Sequence, residues 1–469
     1  MNLSVLVRER ARPARIRDWP EAWRLAVATV CLGAFMGQLD ASIVTLTYRS
    51  LRTEFGASLA EVQWVSLSYL VTLAALLIPA GRLADAHGRK LLYLYGFVVF
   101  ATASAVCGFA PSLGALVALR VLQGAGAALM QANSVALIAT GAPPHRLRAA
   151  LGIQAAAQAL GLALGPTVGG LVISSLGWRW VFLINVPIGV LGVIAGVYLL
   201  PRTRQRTPTS GWDLSGLVLL STATTACLLA MSAASGLSLP GWAVITLPVL
   251  AVASMAAFLL RQRYATAPLL DLGLLRSRAV SAGLLGALGG YLVLFGPLVL
   301  VPVVLTADGY AELRAGLILT ALPAGFAIAA AIGEQLMPSG WTDRVRCTVG
   351  ALLAVIVLSA LLVVPLTDAW LIPLLGGLGI ALGIFTPANN SLVMRAMPAR
   401  SAGTGGGLLN MTRGLGTSLG VALVTLALHQ SVAHLPVDRP RIALASLTTV
   451  AAFVLLSTRL SPATPATHS

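Results

Sequence analysis

Charged residues are scarce in this sequence. Only 10% of its 469 residues are Asp, Glu, Lys or Arg, whereas 57% are hydrophobic. So small a polar fraction cannot cover the surface of a water-soluble protein of this length. The composition therefore excludes a soluble globular protein and predicts that much of the chain faces lipid.

Cysteine, histidine and nucleotide-binding motifs are also sparse. The four Cys and five His residues stand apart from one another, without the spacing of a metal site or a catalytic cluster. The hydrolase pattern G-x-S-x-G occurs at 416–420, but inside an apolar run rather than at a strand-to-helix turn. No Walker-type loop is present. We therefore expect no enzyme activity, no bound metal, no cofactor and no direct use of ATP.

Apolar runs of membrane-spanning length fill most of the chain. A helix needs roughly 20 such residues to cross a hydrocarbon layer of about 30 Å. The predicted spans are 23–47, 62–80, 91–110, 113–138, 150–175, 180–200, 214–234, 241–260, 279–306, 313–336, 347–366, 369–394, 402–428 and 441–459. The sequence thus predicts an all-α polytopic membrane protein with fourteen transmembrane helices.

Basic residues lie mostly on one side of these spans. Of the 31 Lys and Arg residues, 23 fall in the N-terminal tail, every second loop and the C-terminal segment, and six fall in the opposite loops. The positive-inside rule then predicts that both termini are cytoplasmic. Because the basic residues are spread over short loops, the net charge of +16 indicates lipid headgroups as partners rather than nucleic acid.

Two polar breaks divide the spans into groups of six, two and six. They are 201–213, rich in Pro, Thr and Arg, and the basic segment 261–278. The predicted divisions are a tail at 1–22, a six-helix bundle at 23–200, linkers with two extra helices at 201–278, a second six-helix bundle at 279–459 and a tail at 460–469. This plan is typical of transporters built from repeated halves, which bind substrate near mid-membrane.

A glycine-containing loop follows the second span. It reads Gly81-Arg-Leu-Ala-Asp85-Ala-His-Gly88-Arg89-Lys90. The two glycines permit a tight turn close to neighbouring helices, and the carboxylate of Asp85 can cap a helix start or pair with an arginine. Arg89 and Lys90 are expected to anchor the inner face of the membrane protein.

A charged residue interrupts the fourth apolar run. Arg120 lies in Leu116-Val-Ala-Leu-Arg120-Val-Leu-Gln123-Gly124, and a charge at the membrane centre costs about 2.5–3.5 kcal/mol on insertion scales. We therefore expect Arg120 to face the interior of the helix bundle. A functional role and a structural bond to backbone carbonyls both remain open from the residues alone.

The fifth span carries a third motif, Gly161-Leu-Ala-Leu-Gly165-Pro166-Thr-Val-Gly169-Gly170. Glycines at this spacing let helix backbones approach closely. Pro166 kinks the helix and frees a backbone carbonyl. The segment is expected to form a flexing interface between the two halves.

These segments resemble the loop, fourth-helix and fifth-helix motifs of the major facilitator superfamily, and the chain resembles its fourteen-span drug:proton antiporters of the multidrug efflux type. Further matching segments are 39–44, 178–189, 212–216, 268–272 and 410–422. Three positions depart from the pattern: Ala86 replaces a usual Arg, Thr45 a usual Asn and Arg49 a usual Pro. The resemblance implies the major facilitator fold, two six-helix bundles plus two inserted helices. It also implies a part for Arg120 in proton transfer and, from the Gly161 segment, proton-coupled export. The location implied by the resemblance is the cell (inner) membrane of a bacterium.

Two acidic residues fall within spans and are candidates to carry the proton. Asp40 lies well inside the first span and Glu334 near the cytoplasmic end of the tenth. A carboxyl group facing a poorly hydrated cavity can take up a proton on one side of the membrane and release it on the other. We predict that Asp40 is the principal carrier and that Arg120 adjusts its proton affinity or its contact with substrate. The alternative makes Asp40 a fixed partner of Arg120 and Glu334 the carrier.

Polar and aromatic residues within the spans are candidates to bind substrate. They are Gln38, Tyr69, Asn133, Gln154, Gln158, Tyr291, Asn389, Asn410 and Arg413. Each alone is as readily a helix–helix hydrogen bond, but together they suit amphipathic molecules of drug size.

The function predicted from the sequence is proton-coupled export of amphipathic small molecules, drugs or an endogenous natural product, by a monomer that works by alternating access. A proton-coupled importer of a small-molecule nutrient is the alternative.

Overall fold

The computed structural model describes residues 9–203, 213–234, 240–266, 268–307, 310, 312–338, 340–429 and 439–460, and these ranges form helices without a strand. The α-helices are α1 (Ala14–Arg17), α2 (Ala22–Ile43), α3 (Tyr48–Phe55), α4 (Leu59–His87), α5 (Arg89–Cys107), α6 (Leu113–Gly141), α7 (Leu147–Leu176), α8 (Arg179–Leu183), α9 (Asn185–Leu199), α10 (Leu214–Ala234), α11 (Gly241–Tyr264), α12 (Leu272–Arg276), α13 (Arg278–Ala307), α14 (Glu312–Leu319), α15 (Ala321–Leu336), α16 (Asp343–Val363), α17 (Asp368–Ala396), α18 (Ala402–His429) and α19 (Arg439–Leu460). The predicted all-α membrane fold is confirmed.

Thirteen helical segments in the described residues are long and apolar enough to cross a membrane. In lipid, a helix is the natural form of such runs because it satisfies every backbone polar group within the segment. The predicted fifth span, 150–175, falls in the 30-residue helix α7, which is not among the thirteen. The count of fourteen spans therefore stays a prediction.

Polar residues fix where several helices begin. Ser58 and Glu61 form a reciprocal capping box at the start of α4, with Ser58 N donating to Glu61 Oε2 at 2.7 Å. The hydroxyls of Ser112 and Thr342 accept from backbone N–H groups in the first turns of α6 and α16. These caps satisfy backbone donors that have no partner inside the helix.

The first compact unit takes in α1 to α11 together with residues 398–411 at the start of α18. Its main helix pairs are α4 with α6, α5 with α6, α2 with α7, and α5 with α9. These four pairs surround the buried polar side chains described below.

Helices α10 and α11, which the sequence predicts to be an insert, are joined to each other through a buried carboxylate. Asp213 accepts from Arg261 Nε at 2.9 Å, Gln262 Nε2 at 2.8 Å and Gly216 N at 2.9 Å. Burial by itself would raise the pKa of Asp213, but these hydrogen bonds lower it below its ordinary value. Trp212 of the same motif lies outside the described residues.

The second compact unit comprises α12 to α17, the remainder of α18 from Thr412, and α19. Its main helix pairs are α15 with α17, α16 with α17, α16 with α19, and α13 with α19. The predicted division at 23–200, 201–278 and 279–459 stays a prediction beside these two units.

Candidate functional site

Asp40 lies near the end of α2, in the interior of the first unit. Its side chain is fully buried. Oδ2 accepts from Arg120 Nη1 at 2.7 Å, and Oδ1 accepts from Gln123 Nε2 at 2.9 Å and Asn185 Nδ2 at 2.9 Å. The carboxylate is thus surrounded by one cation and two amides from α6 and α9.

Arg120 is buried among the same helices. Besides the ion pair, its Nε donates to Val65 O at 2.9 Å and its Nη1 to Gln123 Oε1 at 2.6 Å. The guanidinium carbon lies 4.2 Å from the centre of the Tyr69 ring and 5.8 Å from that of Phe182, so two aromatic faces also stabilise its charge. The bond to a backbone carbonyl that the structural reading of Arg120 expected is therefore present, together with an ion pair. The predicted role of Arg120 in proton transfer stays a prediction.

Gln123 and Asn185 complete this site, although the sequence did not single them out. Gln123 also donates to Ser104 Oγ at 2.7 Å, which extends the network to α5. The Oδ1 atom of Asn185 and the hydroxyl of Tyr69 are buried and have no hydrogen-bond partner among the described residues. Gln123 and Asn185 both lie inside motif segments that the sequence analysis recognised, so their place in those motifs was the signal that could have found them.

Three glycines of the fifth-span motif pack against the helix that carries Asp40. A Cβ atom added at Gly161 would lie 2.5 Å from Phe35 O, one at Gly165 2.1 Å from Ser42 Oγ, and one at Gly169 2.5 Å from a carbon of Ile43. The predicted close approach holds for these three, but their partner α2 belongs to the same unit rather than to the other half. It does not hold for Gly170, where a Cβ would meet nothing within 4 Å. Gly170 directly follows Gly169, so it lies about 100° further around the helix, on a different face.

Ser42 supplies the hydrogen-bond donor that Pro166 lacks in α7. The carbonyl of Leu162 is the acceptor that the N–H of residue 166 would normally serve, and proline has no N–H. The hydroxyl of Ser42 donates to Leu162 O at 3.0 Å, and Gly165 leaves room for it. The carbonyl that the sequence predicted to be free is thus satisfied from α2.

We expect this compensation to appear in a double-mutant cycle on Ser42 and Pro166. Ser42→Ala should lower the stability of the protein by about 0.6 kcal/mol, the average for interhelical hydrogen bonds in a membrane protein, and by at most about 1.7 kcal/mol. In a Pro166→Ala background it should cost little, because the restored N–H serves Leu162 O. Thermal denaturation of the four purified proteins in detergent measures the coupling. An equal cost of Ser42→Ala in both backgrounds would contradict this account.

The loop motif holds the turn between α4 and α5 against the start of α18, within the first unit. Gly88 joins α4 to α5 with φ +120°, a conformation that favours glycine. Asp85 pairs with Arg89, at 2.7 Å from Nη2, and accepts from Gly403 N and Thr404 N, each at 2.8 Å. It therefore does both things expected of it, capping the start of α18 and pairing with an arginine.

Gly81 and Arg89 also contact the segment at the start of α18. A Cβ atom at Gly81 would lie 2.3 Å from Gly403 O, so the backbones touch there. Arg89 Nη2 also donates to Ala399 O at 2.6 Å. The buried Lys90, at the start of α5, donates to three backbone carbonyls.

The candidate substrate residues are distributed over both units. In the first unit, Gln38 is half-buried, and Tyr69, Asn133, Gln154, Gln158 and Asn410 are buried. Asn410 donates to Gln131 O at 2.7 Å and Gln154 to Ser134 Oγ at 2.9 Å, so each makes an ordinary helix–helix hydrogen bond. The side-chain oxygens of Asn133 and Gln158 are buried without a hydrogen-bond partner in the described part of the chain.

In the second unit, Tyr291, Asn389 and Arg413 are buried. Asn389 donates to Gly283 O at 2.8 Å. The guanidinium of Arg413 lies over the ring of Tyr291, 5.3 Å from its centre. The side chain of Glu334, the alternative proton carrier, lies outside the described residues.

Comparisons with known proteins agree with this architecture. The model of the family described as Major Facilitator Superfamily matches residues 30–421. The tetracenomycin C resistance and export protein of Streptomyces glaucescens is 33% identical over 91% of this chain and 78% of its own length. The riboflavin transporter RibZ of Clostridioides difficile is 27% identical over 87% of this chain and 89% of its own.

The human organic anion transporter MFSD10 has a similar fold, with a TM-score of 0.66 at 18% identity over 95% of this chain and 100% of that one. Together with the buried charges inside apolar helices, these matches show that the chain is a multi-pass membrane transporter rather than an enzyme. It belongs to the Major Facilitator Superfamily.

Proposed function

We propose that this protein is a proton-coupled antiporter that exports amphipathic small molecules by alternating access. The observation that carries the proposal is the buried ion pair of Asp40 and Arg120, at 2.7 Å inside an apolar bundle. Charges at that depth are costly and are usually retained for a function. The relative named for tetracenomycin C resistance and export supports the outward direction.

Protonation of Asp40 is the chemical step that couples the two fluxes in this proposal. As a carboxylate, Asp40 is held by the cation of Arg120 and by two amide donors. A proton on Asp40 removes the negative charge and with it most of the attraction to Arg120. The N–H donors of Arg120 then turn to other acceptors. The protonated and deprotonated forms of Asp40 therefore favour different arrangements of α2, α6 and α9.

Polar groups in the bundle interiors support the proposed substrate class. Amide oxygens of Asn133 and Gln158 lack partners within the described residues and can accept hydrogen bonds from a ligand. Within the second unit, Arg413 lies over the ring of Tyr291, which places a cation against an aromatic face there. Neutral or anionic amphipathic compounds therefore suit this protein better than strictly cationic ones.

We further propose that it acts as a monomer with both termini in the cytoplasm.

A proton-coupled importer of a small nutrient is the second candidate. The similarity to a protein named as a riboflavin transporter supports a small nutrient as substrate. The direction of flux relative to the proton gradient separates the two candidates.

We expect inverted membrane vesicles that contain the protein to accumulate its substrate when their interior is acidic. The reason is that protons leaving the vesicle would drive substrate inward, which corresponds to export from the cell. The measurement is uptake of a panel of fluorescent or radiolabelled amphipathic compounds, including riboflavin, with and without an imposed pH gradient. Vesicles without the protein and vesicles treated with a protonophore are the controls. Gradient-driven loss of a preloaded compound would establish the importer instead, and transport indifferent to the gradient would refute proton coupling.

A further inference from the structure

A basic cavity of about 550 Å³ lies in the first unit, apart from the Asp40 site. It lies where the N-terminal segment meets the last turn of α6 and the segment after α9. Four arginines and two tryptophans are among its lining residues: Arg12, Arg17, Arg89, Arg202, Trp19 and Trp23. No Asp or Glu is found among the described residues that line it.

Two of the four arginines are paired with carboxylates next to the cavity. Arg89 is paired with Asp85 at 2.7 Å, and Arg17 with Asp18 at 2.9 Å. The other two are oriented by neutral carbonyls: Arg12 Nε donates to Leu199 O and Arg202 Nε to Glu9 O, each at 2.6 Å. Carbonyls orient a guanidinium but do not neutralise it, so net positive charge faces the cavity.

Arg12 shows the excess of positive charge most clearly. Its Nη2 atom is buried and has no hydrogen-bond partner in the described part of the chain. Burial lowers the pKa of Arg12 from its ordinary value, as expected where desolvation of the cation is not offset by an anion. A bound anion would satisfy both the donor and the charge.

The segment that carries Arg12 is held in place before any ligand arrives. Lys90 Nζ donates to Arg10 O at 2.8 Å. Glu9 accepts from Thr203 N and Thr203 Oγ1, each at 2.8 Å. Because these bonds hold the N-terminal segment against α5 and the segment after α9, little conformational entropy would be lost when a ligand binds.

We propose that this cavity binds a phosphate group, carried either by an anionic phospholipid or by a soluble phosphate compound. Guanidinium groups present pairs of N–H donors that match phosphate oxygens, and several together bind it as a fixed anion site. Trp19 and Trp23 stand beside the start of the first span, the level at which tryptophans meet lipid headgroups. The charge pattern predicts that this end of the unit is cytoplasmic.

The test is ligand-induced thermal stabilisation of the full-length purified protein in a neutral detergent. One arm adds inorganic phosphate against chloride of equal ionic strength, because screening alone changes surface electrostatics. The other adds phosphatidylglycerol against phosphatidylcholine. Native protein is compared with Arg12→Gln and Arg202→Gln, and with Arg15→Gln as matched control, since Arg15 lies in the same segment but not in the cavity lining.

We expect a stabilisation that both cavity variants reduce several-fold and that Arg15→Gln leaves unchanged. A shift with phosphatidylglycerol alone would assign the site to a lipid headgroup, and a shift with inorganic phosphate would assign it to a soluble phosphate. Because each variant is compared with itself with and without ligand, lower intrinsic stability does not obscure the result. The proposal fails if neither additive stabilises native protein, if the cavity variants keep the full shift, or if Arg15→Gln loses as much as they do.

Discussion

Asp40→Asn is expected to abolish proton-driven efflux while the protein still reaches the membrane. Asparagine keeps a side-chain oxygen near Arg120 but cannot exchange a proton, so the step that links the proton gradient to substrate is lost. Uptake into inverted vesicles with an acidic interior measures this, and it should fall to the level of vesicles without the protein. Exchange of labelled for unlabelled substrate without a gradient should persist, because it needs no proton.

A second variant separates loss of coupling from loss of folding. Removing one member of a buried ion pair costs about 3–5 kcal/mol in soluble proteins, since the other charge stays buried and unpaired. Asp40→Asn combined with Arg120→Gln removes both charges and should recover stability without recovering coupling. Asp213→Asn is the matched control, because Asp213 is also buried and ion-paired, through Arg261 at 2.9 Å, but lies outside the site. Full gradient-driven uptake by a folded Asp40→Asn protein would refute Asp40 as carrier and leave Glu334 as the alternative.

Gly161→Ala is expected to destabilise the protein and impair transport strongly. Its new methyl group would lie 2.5 Å from the carbonyl oxygen of Phe35, and a backbone atom cannot rotate away as a side chain can. Overpacking of this kind typically costs about 1–3 kcal/mol. Because Phe35 and Asp40 lie on the same helix, separating α2 from α7 should also displace the ion pair. Thermal denaturation and gradient-driven uptake measure the two effects.

Gly170→Ala is the matched control on the same helix and in the same motif. A methyl group there meets nothing within 4 Å, and alanine favours a helix over glycine by up to about 1 kcal/mol. We therefore expect unchanged or slightly raised stability and native transport. Equal damage from both substitutions would show that flexibility of the glycines, rather than close packing, is what the motif provides.

The sequence predicted the helical membrane fold and the burial of Asp40 and Arg120 for one physical reason. Long apolar runs are stable only where their backbone bonds are internal and their side chains meet lipid or each other. A charge inside such a run cannot face lipid without a large cost. Composition and position along the chain were therefore enough to place both residues inside the bundle.

Partners in space could not be predicted in the same way. Asn185 donates to Asp40 across 145 positions of sequence, and nothing in either segment specifies that α9 lies beside α2. In soluble helices a polar face marks the outside, but here the lipid-facing and bundle-facing sides are both apolar. Periodicity therefore gives little information about which helix lies opposite which.

The fifth-span motif shows the same division of information. By itself the sequence determined that α7 offers glycines for close approach and a carbonyl without its usual donor, because both follow from the covalent structure of glycine and proline. Only the tertiary structure decided that Gly161, Gly165 and Gly169 contact α2 while Gly170 does not, and that Ser42 supplies the donor. Helix packing selects one face, and that selection depends on contacts between residues more than a hundred positions apart.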